Sequence, residues 1–133
     1  DESAAPQSSP LTADDSLALT QDAIKTNINS KNYSGLSAYM ANNVEVKLMS
    51  TDCCGPKTKE EVIGQMSYVD EGAPFDFDQT LPTIKTLKTK NPRLTNTFIG
   101  ISKNKEHLIA FSINTDFKIT AVEMSVTWKL YNQ

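Results

Sequence analysis

Apolar positions repeat every three to four residues in the first part of the chain, and this spacing predicts helices. Leu17, Ile24 and Ile28 share one face of a first helix. Thr12 and Asp15 precede this pattern as a variant of the capping box, so we expect the helix to begin near Thr12. A short second helix is predicted from one further apolar face, which contains Tyr33, Leu36, Tyr39 and Met40.

A third helix is predicted to begin at residue 58. Thr58 and Glu61 have the spacing of a full capping box, in which each side chain bonds the backbone of the other residue. Val62, Met66 and Val69 follow as its apolar face. Residues 50–56, which lie just before this helix, are predicted to form a loop.

Alternation of apolar and polar residues predicts strands in the rest of the chain. The predicted strands cover residues 44–48, 75–78, 94–102, 107–114 and 119–131. Because the nitrogen of Pro82 cannot donate to a strand ladder, residues 83–87 are predicted to form an edge or bulged strand at best. In the last strand the face expected to be buried contains Val122, Met124, Val126, Trp128 and Leu130.

The predicted order is helix, helix, strand, helix and then a run of antiparallel strands. This order is typical of an α+β domain whose helices pack on one face of a sheet. With 133 residues, the chain is expected to form one domain over residues 11–133 behind a disordered tail over residues 1–10. The formal net charge of −3 argues against nucleic-acid binding, and no apolar run is long enough to span a membrane.

The N-terminal tail bears on the cellular compartment. It starts with Asp1 rather than methionine and consists of small, polar and proline residues, as do tails that follow a cleaved signal peptide or a lipid anchor. We therefore expect a secreted or periplasmic protein whose N-terminal signal has been removed. A trimmed cytoplasmic protein is the alternative.

Cys53 and Cys54 are adjacent, and they are the only cysteines of the chain. Three states remain open: a vicinal disulfide that would be a redox-sensitive clip, free thiols, or an intermolecular bond. The vicinal disulfide is favoured in an exported protein, because Gly55 relieves crowding of the backbone. Two cysteines and one histidine are too few for a zinc site, so no metal is expected, and His107 is expected to be exposed at the start of a strand.

Three stretches of the sequence are similar to the NTF2-like superfamily, which includes nuclear transport factor 2, ketosteroid isomerase and SnoaL-type cyclases. Residues 32–40 (NYSGLSAYM) and 43–46 (NVEV) resemble its passage from the second helix into a strand. Residues 55–63 (GPKTKEEVI) resemble the loop that enters its third helix, and residues 116–119 (DFKI) resemble the turn before its last strand. The superfamily usually has glycine where this chain has Phe117.

The resemblance implies a cone in which two or three N-terminal helices pack on the concave face of a curved, mainly antiparallel sheet. A cystatin-like sheet wrapped on one helix is the alternative fold. The cone has a pocket between its helices and the sheet. The residues expected to line it and bind a ligand are Tyr39, Met40, Met66, Phe75, Phe77, Phe111, Met124 and Trp128.

The chemistry expected of this pocket is binding rather than catalysis. The sequence contains no phosphate-binding loop, nucleophile elbow, metal motif or evident acid–base pair, and no cofactor is expected. The expected function is therefore non-catalytic binding of a small apolar ligand or a protein partner. The alternative is a small lyase or isomerase of the SnoaL or ketosteroid isomerase kind.

Members of the superfamily often pair through the outer face of the sheet, so the resemblance also implies a homodimer. The outward positions of the last predicted strand are Ala121, Glu123, Ser125, Thr127 and Lys129. This mixture of small, hydroxyl and charged side chains can support pairing without requiring it.

Overall fold

The computed structural model describes residues 12–49 and 53–132, so the predicted tail over residues 1–10 lies outside the described residues. Within them the chain forms the α-helices α1 (Ala13–Asn29), α2 (Lys59–Gln65) and α3 (Pro82–Lys90). The strands are β1 (Met40–Leu48), β2 (Cys54–Lys57), β3 (Phe75–Asp76), β4 (Phe98–Ser102), β5 (Leu108–Ile113) and β6 (Ile119–Ser125). Four 3₁₀ helices cover Tyr33–Tyr39, Met66–Gly72, Pro92–Leu94 and Trp128–Asn132.

The first and third predicted helices are confirmed, with their N-terminal caps in place. Thr12 Oγ1 accepts a hydrogen bond from the Asp15 backbone N–H at 3.0 Å at the start of α1. At the start of α2, Thr58 Oγ1 accepts from the Glu61 N–H at 3.3 Å, and Glu61 Oε1 accepts from the Thr58 N–H at 2.9 Å. These bonds satisfy N–H groups that lack a partner in the first turn of a helix. The second predicted helix is a 3₁₀ helix, Tyr33–Tyr39.

The six strands form one mixed sheet in the order β2-β1-β6-β5-β4-β3. β1 and β6 are parallel, with Val46 opposite Val122, whereas the other neighbours are antiparallel. Hairpins join β4 to β5 and β5 to β6, so that Phe111 lies opposite both Phe98 and Val122. The sheet is therefore mainly antiparallel, as predicted.

The inner face of the sheet is the face that α1, α2 and the first two 3₁₀ helices cover. The apolar side chains between these helices and the sheet form the main core. Ile24 of α1, Val62 of α2 and Phe111 of β5 are fully buried in it. Helices packed on one face of a mainly antiparallel sheet define the predicted α+β class, which is confirmed, and the arrangement is consistent with an NTF2-like cone.

The outer face of the sheet is covered over part of its area by a second layer. This layer consists of α3 and the last two 3₁₀ helices, and it encloses a smaller apolar cluster against β4 and β5. The buried members of the cluster include Ile84, Leu87, Ile99, Leu108 and Tyr131. The expectation of helices on one face alone is incomplete, because α3 and the C-terminal 3₁₀ helix of this layer come largely from segments for which strands are predicted.

The prediction of an edge or bulged strand over residues 83–87 is wrong, because these residues lie inside α3. Pro82 occupies the first turn of the helix, where its missing N–H costs no hydrogen bond. Ile84 and Leu87 are three residues apart, and both are buried against the outer face. The spacing of Ile84 and Leu87 favours a helix, and Pro82 is compatible with one because it lies in the first turn.

The last strand is shorter than the prediction of residues 119–131, because β6 ends at Ser125. Ser125 Oγ accepts a hydrogen bond from the Thr127 N–H at 3.1 Å and donates to the Thr127 carbonyl at 2.8 Å, which turns the chain. The 3₁₀ helix that follows packs on the outer face. Trp128 therefore leaves the inward face that the alternation predicts for it.

The loop predicted over residues 50–56 contains the start of β2 in its described part. Cys54 pairs with Lys47, and β2 forms the edge of the sheet. Gly55 has a φ of 85°, in the left-handed region that favours glycine. An edge position also tolerates Pro56, whose nitrogen cannot donate to a ladder.

The remaining strands differ from the predictions at their ends. β3 covers two of the four residues predicted at 75–78, and β5 lies within the predicted 107–114. β4 begins at Phe98 rather than at residue 94, because Pro92–Leu94 form a 3₁₀ helix and Leu94 joins the outer cluster.

Candidate functional site

Seven of the eight predicted ligand-binding residues lie together between the N-terminal helices and the inner face of the sheet. The buried ones are Met40, Met66, Phe75, Phe77, Phe111 and Met124, and none of them is more than 6% exposed. Tyr39 is half-buried and packs against the same cluster. Their role in binding a ligand stays a prediction.

Trp128 lies apart from the other seven. It is partly buried in the cluster on the outer face, and its backbone N–H donates to the Glu106 carbonyl at 2.9 Å. Its place in the predicted set depended on a strand that continues to residue 131, whereas β6 ends before it. The sheet therefore separates Trp128 from the main core.

A cleft of about 240 Å³ lies between α1 and the sheet, at the end of the main core where β4 begins; we call it the α1 cleft. Its walls come from α1, the segment before α3, α3 itself, the start of β4 and the end of β5. The residues that line it are Leu17, Gln21, Gln79, Lys88, Thr95, Asn96, Thr97, Phe98 and Ile113. Because α1 belongs to the inner layer and α3 to the outer layer, the cleft lies at the end of the sheet, and none of the eight residues predicted to bind a ligand lines it.

The apolar wall of the α1 cleft is continuous with the main core. Phe98 lies opposite Phe111 in the β4–β5 hairpin, and its ring stacks on Phe77 with the centroids 5.0 Å apart. Ile113, at the end of β5, packs against the same core. A molecule in the cleft would therefore touch Phe98, which in turn contacts Phe77 and Phe111 of the predicted ligand-binding set.

Gln79 fixes the wall of the α1 cleft that precedes α3. Its Nε2 donates hydrogen bonds to the carbonyls of Phe77 and Ile99, each at 2.7 Å. Its Oε1 accepts a hydrogen bond from the Ile99 N–H at 3.1 Å. Because both amide hydrogens are used, Gln79 holds this segment against β4 and has no donor left for a ligand.

Lys88 of α3 is the only charged side chain among the described residues that line the α1 cleft. It is half-buried, and the ion pairs found within residues 12–49 and 53–132 do not include it. Burial lowers the pKa of its ammonium group below the ordinary value of lysine, because loss of water disfavours the charged form. The sequence analysis does not place Lys88 in a site, because Lys88 follows the strand predicted over residues 83–87, whereas the structure places it in α3.

A second cavity, of about 230 Å³, lies on the uncovered part of the outer face. Its floor includes the small side chains Ala110, Ser112 and Ala121 of β5 and β6. The charged residues around it are Glu45, Lys47, Arg93 and Glu123. Acidic and basic groups are thus equal in number at this outer cavity.

Glu123 belongs to a hydrogen-bond network at the border of the outer cavity. Its Oε2 accepts from Arg93 Nη2 at 2.6 Å and from the Tyr131 hydroxyl at 2.7 Å. The Arg93 guanidinium also lies 5.7 Å from the centroid of the Tyr131 ring. Burial, and then the bond to Glu123, raise the pKa of Tyr131 well above its ordinary value. The network joins the C-terminal 3₁₀ helix to β6, which is a structural role.

Tyr33 also contacts a carboxylate. Its hydroxyl donates a hydrogen bond to Asp70, and Lys31 Nζ lies 3.7 Å from the same carboxylate. Burial raises the pKa of Tyr33 above its ordinary value, and Asp70 adds to the rise. A raised pKa makes the hydroxyl a weaker proton donor, whereas an efficient general acid has a pKa near the working pH.

Cys53 and Cys54 are joined in a vicinal disulfide at the edge of the sheet. Gln65 Nε2 lies 3.7 Å from the Cys53 Sγ atom. A redox role for the pair stays a prediction.

Residues 12–49 and 53–132 contain no group of three or more metal-binding side chains of the His, Cys, Asp or Glu type. None of their helices has the length and apolar character needed to cross a membrane.

No protein-family profile matches the sequence, and no curated protein matches it. Among solved structures, the chain is similar to Rv0760c from Mycobacterium tuberculosis, an X-ray crystal structure at 2.10 Å resolution. The two share 12% sequence identity, the match covers 87% of this chain and 92% of that chain, and the TM-score is 0.47. A likeness of this strength carries no argument about function, which therefore has to be argued from the α1 cleft itself.

Proposed function

We propose that this chain is an NTF2-like domain that binds a small apolar ligand in the α1 cleft and does not transform it. The observation that carries the proposal is the cleft itself, where Leu17 of α1 lies across from Phe98 and Ile113 of the sheet. Ligand sites commonly combine apolar walls with a few polar groups that orient the ligand. Gln21 and Asn96 supply such groups here.

One turn supports the NTF2-like part of the proposal. Phe117, in the turn between β5 and β6, has a φ of 62°, in the left-handed region that favours glycine. Members of the superfamily usually have glycine at this place. Thr20 Oγ1 of α1 donates a hydrogen bond to the Phe117 carbonyl at 2.8 Å, which fixes the turn against the helix. The backbone conformation thus agrees with the resemblance even though the side chain does not.

The deeper members of the predicted ligand-binding set extend the proposal into the core. Met40, Met66 and Met124 are closely packed behind the aromatic wall. Methionine side chains are flexible and adapt to irregular surroundings, so we propose that these three repack when a longer ligand passes Phe98. A ligand too long for the cleft should then shift their methyl NMR signals, and unchanged signals would confine the ligand to the cleft.

The isomerase or lyase alternative gains no support of its own from the described residues. Such a reaction needs a base within reach of the proton that it removes. Among the described residues that line the α1 cleft, Lys88 is the only group that could act as a base, and no carboxylate, histidine or tyrosine lies beside it to complete an acid–base pair. Binding without catalysis is therefore the function that the geometry supports best.

We also propose that the protein is exported to the periplasm or the medium. The disulfide between Cys53 and Cys54 supports this, because disulfides persist in oxidising compartments, and its place on an edge strand would make it a redox-sensitive clip. Mass spectrometry after alkylation tests the disulfide on which both proposals rest. We expect no alkylation of these cysteines before reduction, and two alkylated thiols in unreduced protein would contradict the bonded state.

A bulky substitution in the wall tests ligand binding in the α1 cleft. N-phenyl-1-naphthylamine is an uncharged probe whose emission rises in apolar surroundings. We expect the wild type to raise its emission and Leu17→Trp to abolish the rise, because the indole ring fills the cleft. Leu19→Trp is the matched control, since Leu19 is 51% exposed on the same helix and does not line the cleft.

Both variants are expected to melt within a few degrees of the wild type, because neither leucine is buried. Equal binding by the wild type and both variants would place the probe elsewhere and contradict the proposal. A wild type that does not bind the probe would contradict it as well.

A further inference from the structure

The α1 cleft differs in charge from the chain as a whole. Lys88 is charged, and none of the other described residues that line the cleft is acidic or basic. The whole chain has a formal net charge of −3. At the outer cavity, by contrast, Glu45 and Glu123 balance Lys47 and Arg93. The unbalanced positive charge is therefore a local property of the α1 cleft.

Lys88 has hydrogen-bonding capacity to spare. Its ammonium group carries three donors, and no hydrogen bond or ion pair from it to another described residue is found. Its half-buried position removes water that would otherwise solvate these donors, and this desolvation lowers its pKa. A cation that has lost water without gaining a carboxylate is destabilised, and an anionic ligand would reverse that.

The neutral polar groups around the α1 cleft also suit an anion. The side-chain amides of Gln21 and Asn96 make no hydrogen bond to another described residue, so their N–H groups are available. Thr97 Oγ1 is already committed, because it donates to the Leu94 carbonyl at 2.7 Å. The free donors thus lie at the rim, while Leu17, Phe98 and Ile113 leave an apolar surface between them.

We propose that the ligand of the α1 cleft is an apolar acid, with a compact apolar body and one carboxylate group that pairs with Lys88. This inference rests on the proposed function and adds the charge of the ligand to it. The body packs on Leu17, Phe98 and Ile113, and the rim amides hold the second carboxylate oxygen. The volume of about 240 Å³ restricts the body to a small one, because pockets for drug-sized ligands begin at about 300 Å³.

Two naphthalene compounds of nearly equal size test the charge preference: 1-naphthoate and 1-naphthalenemethanol. By isothermal titration calorimetry, we expect the wild type to bind the acid about tenfold more tightly than the alcohol, which is the size of effect that one charged hydrogen bond gives. In Lys88→Gln, the acid is expected to lose this advantage, whereas the alcohol should bind as it does to the wild type.

Lys85→Gln is the matched control for Lys88→Gln. Lys85 is exposed on the same helix and does not line the cleft, so its substitution removes the same charge from outside the site. We expect it to leave the preference for the acid nearly unchanged. An equal loss in both variants would overturn the inference, because the effect would then be one of net charge.

The remaining outcomes separate the inference from the proposed function. Equal affinity of the wild type for the acid and the alcohol, with binding of both abolished by Leu17→Trp, would overturn the acid preference and leave cleft binding intact. If neither compound binds, or if Leu17→Trp binds the alcohol as well as the wild type does, the proposed function fails and the inference fails with it.

Discussion

At the scale of single residues, His107 illustrates how packing changes a titratable group. The expectation that it is exposed is wrong, because it is half-buried and its Nδ1 atom is buried without a hydrogen-bond partner among the described residues. A Cβ atom at Gly72 would lie 2.7 Å from the His107 Cβ, so the side chain packs directly on the glycine backbone. Burial lowers the pKa of His107, Lys105 lowers it further, and Glu71 opposes them.

A pH dependence of stability follows from the lowered pKa of His107. In the unfolded chain this histidine takes up its proton at the ordinary pKa of 6.5, before the folded state does. The contribution of His107 to stability is therefore fully present above that pKa and is lost as the pH decreases through it. We expect His107→Gln to flatten the pH dependence of the urea midpoint between about pH 7 and about pH 5.5. Lys103→Gln, in the exposed turn that precedes His107, should keep the wild-type slope, and equal slopes in all three proteins would refute this role.

The residues that could be predicted from the sequence are those whose environment is set by near neighbours. Thr58 and Glu61 form the predicted capping box because both partners lie within one turn. Met66 and Phe111 are buried where helical spacing and strand alternation predict an inward face. Lys88 could not be predicted as part of a site, because its surroundings depend on α3 lying beside the start of β4, which no local pattern indicates.

At the scale of elements, α3 and the C-terminal 3₁₀ helix cover part of the outer face of the sheet and leave the rest of that face exposed to solvent. Asn91 joins them, since its Nδ2 donates hydrogen bonds to the carbonyls of Leu87 and Tyr131, each at 2.8 Å. Asn91 and Tyr131 are 40 residues apart in the sequence, so the alternation of apolar and polar residues within one segment cannot predict their contact. Ser125, expected on the open face, is fully buried.

The predicted homodimer is thereby limited to the open part of the outer face, around Ser112 and Ala121. We expect sedimentation velocity at micromolar concentration to show a dimer. Ala121→Arg should give a monomer, because a long charged side chain would then project into the interface between the two subunits. Thr86→Arg, on the exposed side of α3, is the control and should remain dimeric. A wild type that sediments as a monomer would contradict the pairing.

At the scale of the whole molecule, one sheet separates two apolar clusters. The larger one, beneath α1 and α2, follows from patterns within single helices and strands, so its members could be predicted from the sequence. The smaller one depends on segments that meet only in the folded chain, so Trp128, which alternation predicts on the inner face, lies on the outer face instead. The outer cavity lies on the uncovered part of the outer face, and the α1 cleft lies at the end of the sheet, between α1 of the inner layer and α3 of the outer layer.

The central claim is that ligands bind on the α1 side of the sheet, and an NMR titration of isotope-labelled protein with 1-naphthoate tests it most directly. We predict that the largest changes in backbone amide shifts fall on Gln21, Asn96 and Ile113, which line the α1 cleft. Largest changes at Lys47 and Ala121, which line the outer cavity, would contradict the claim, and so would a titration without any shift.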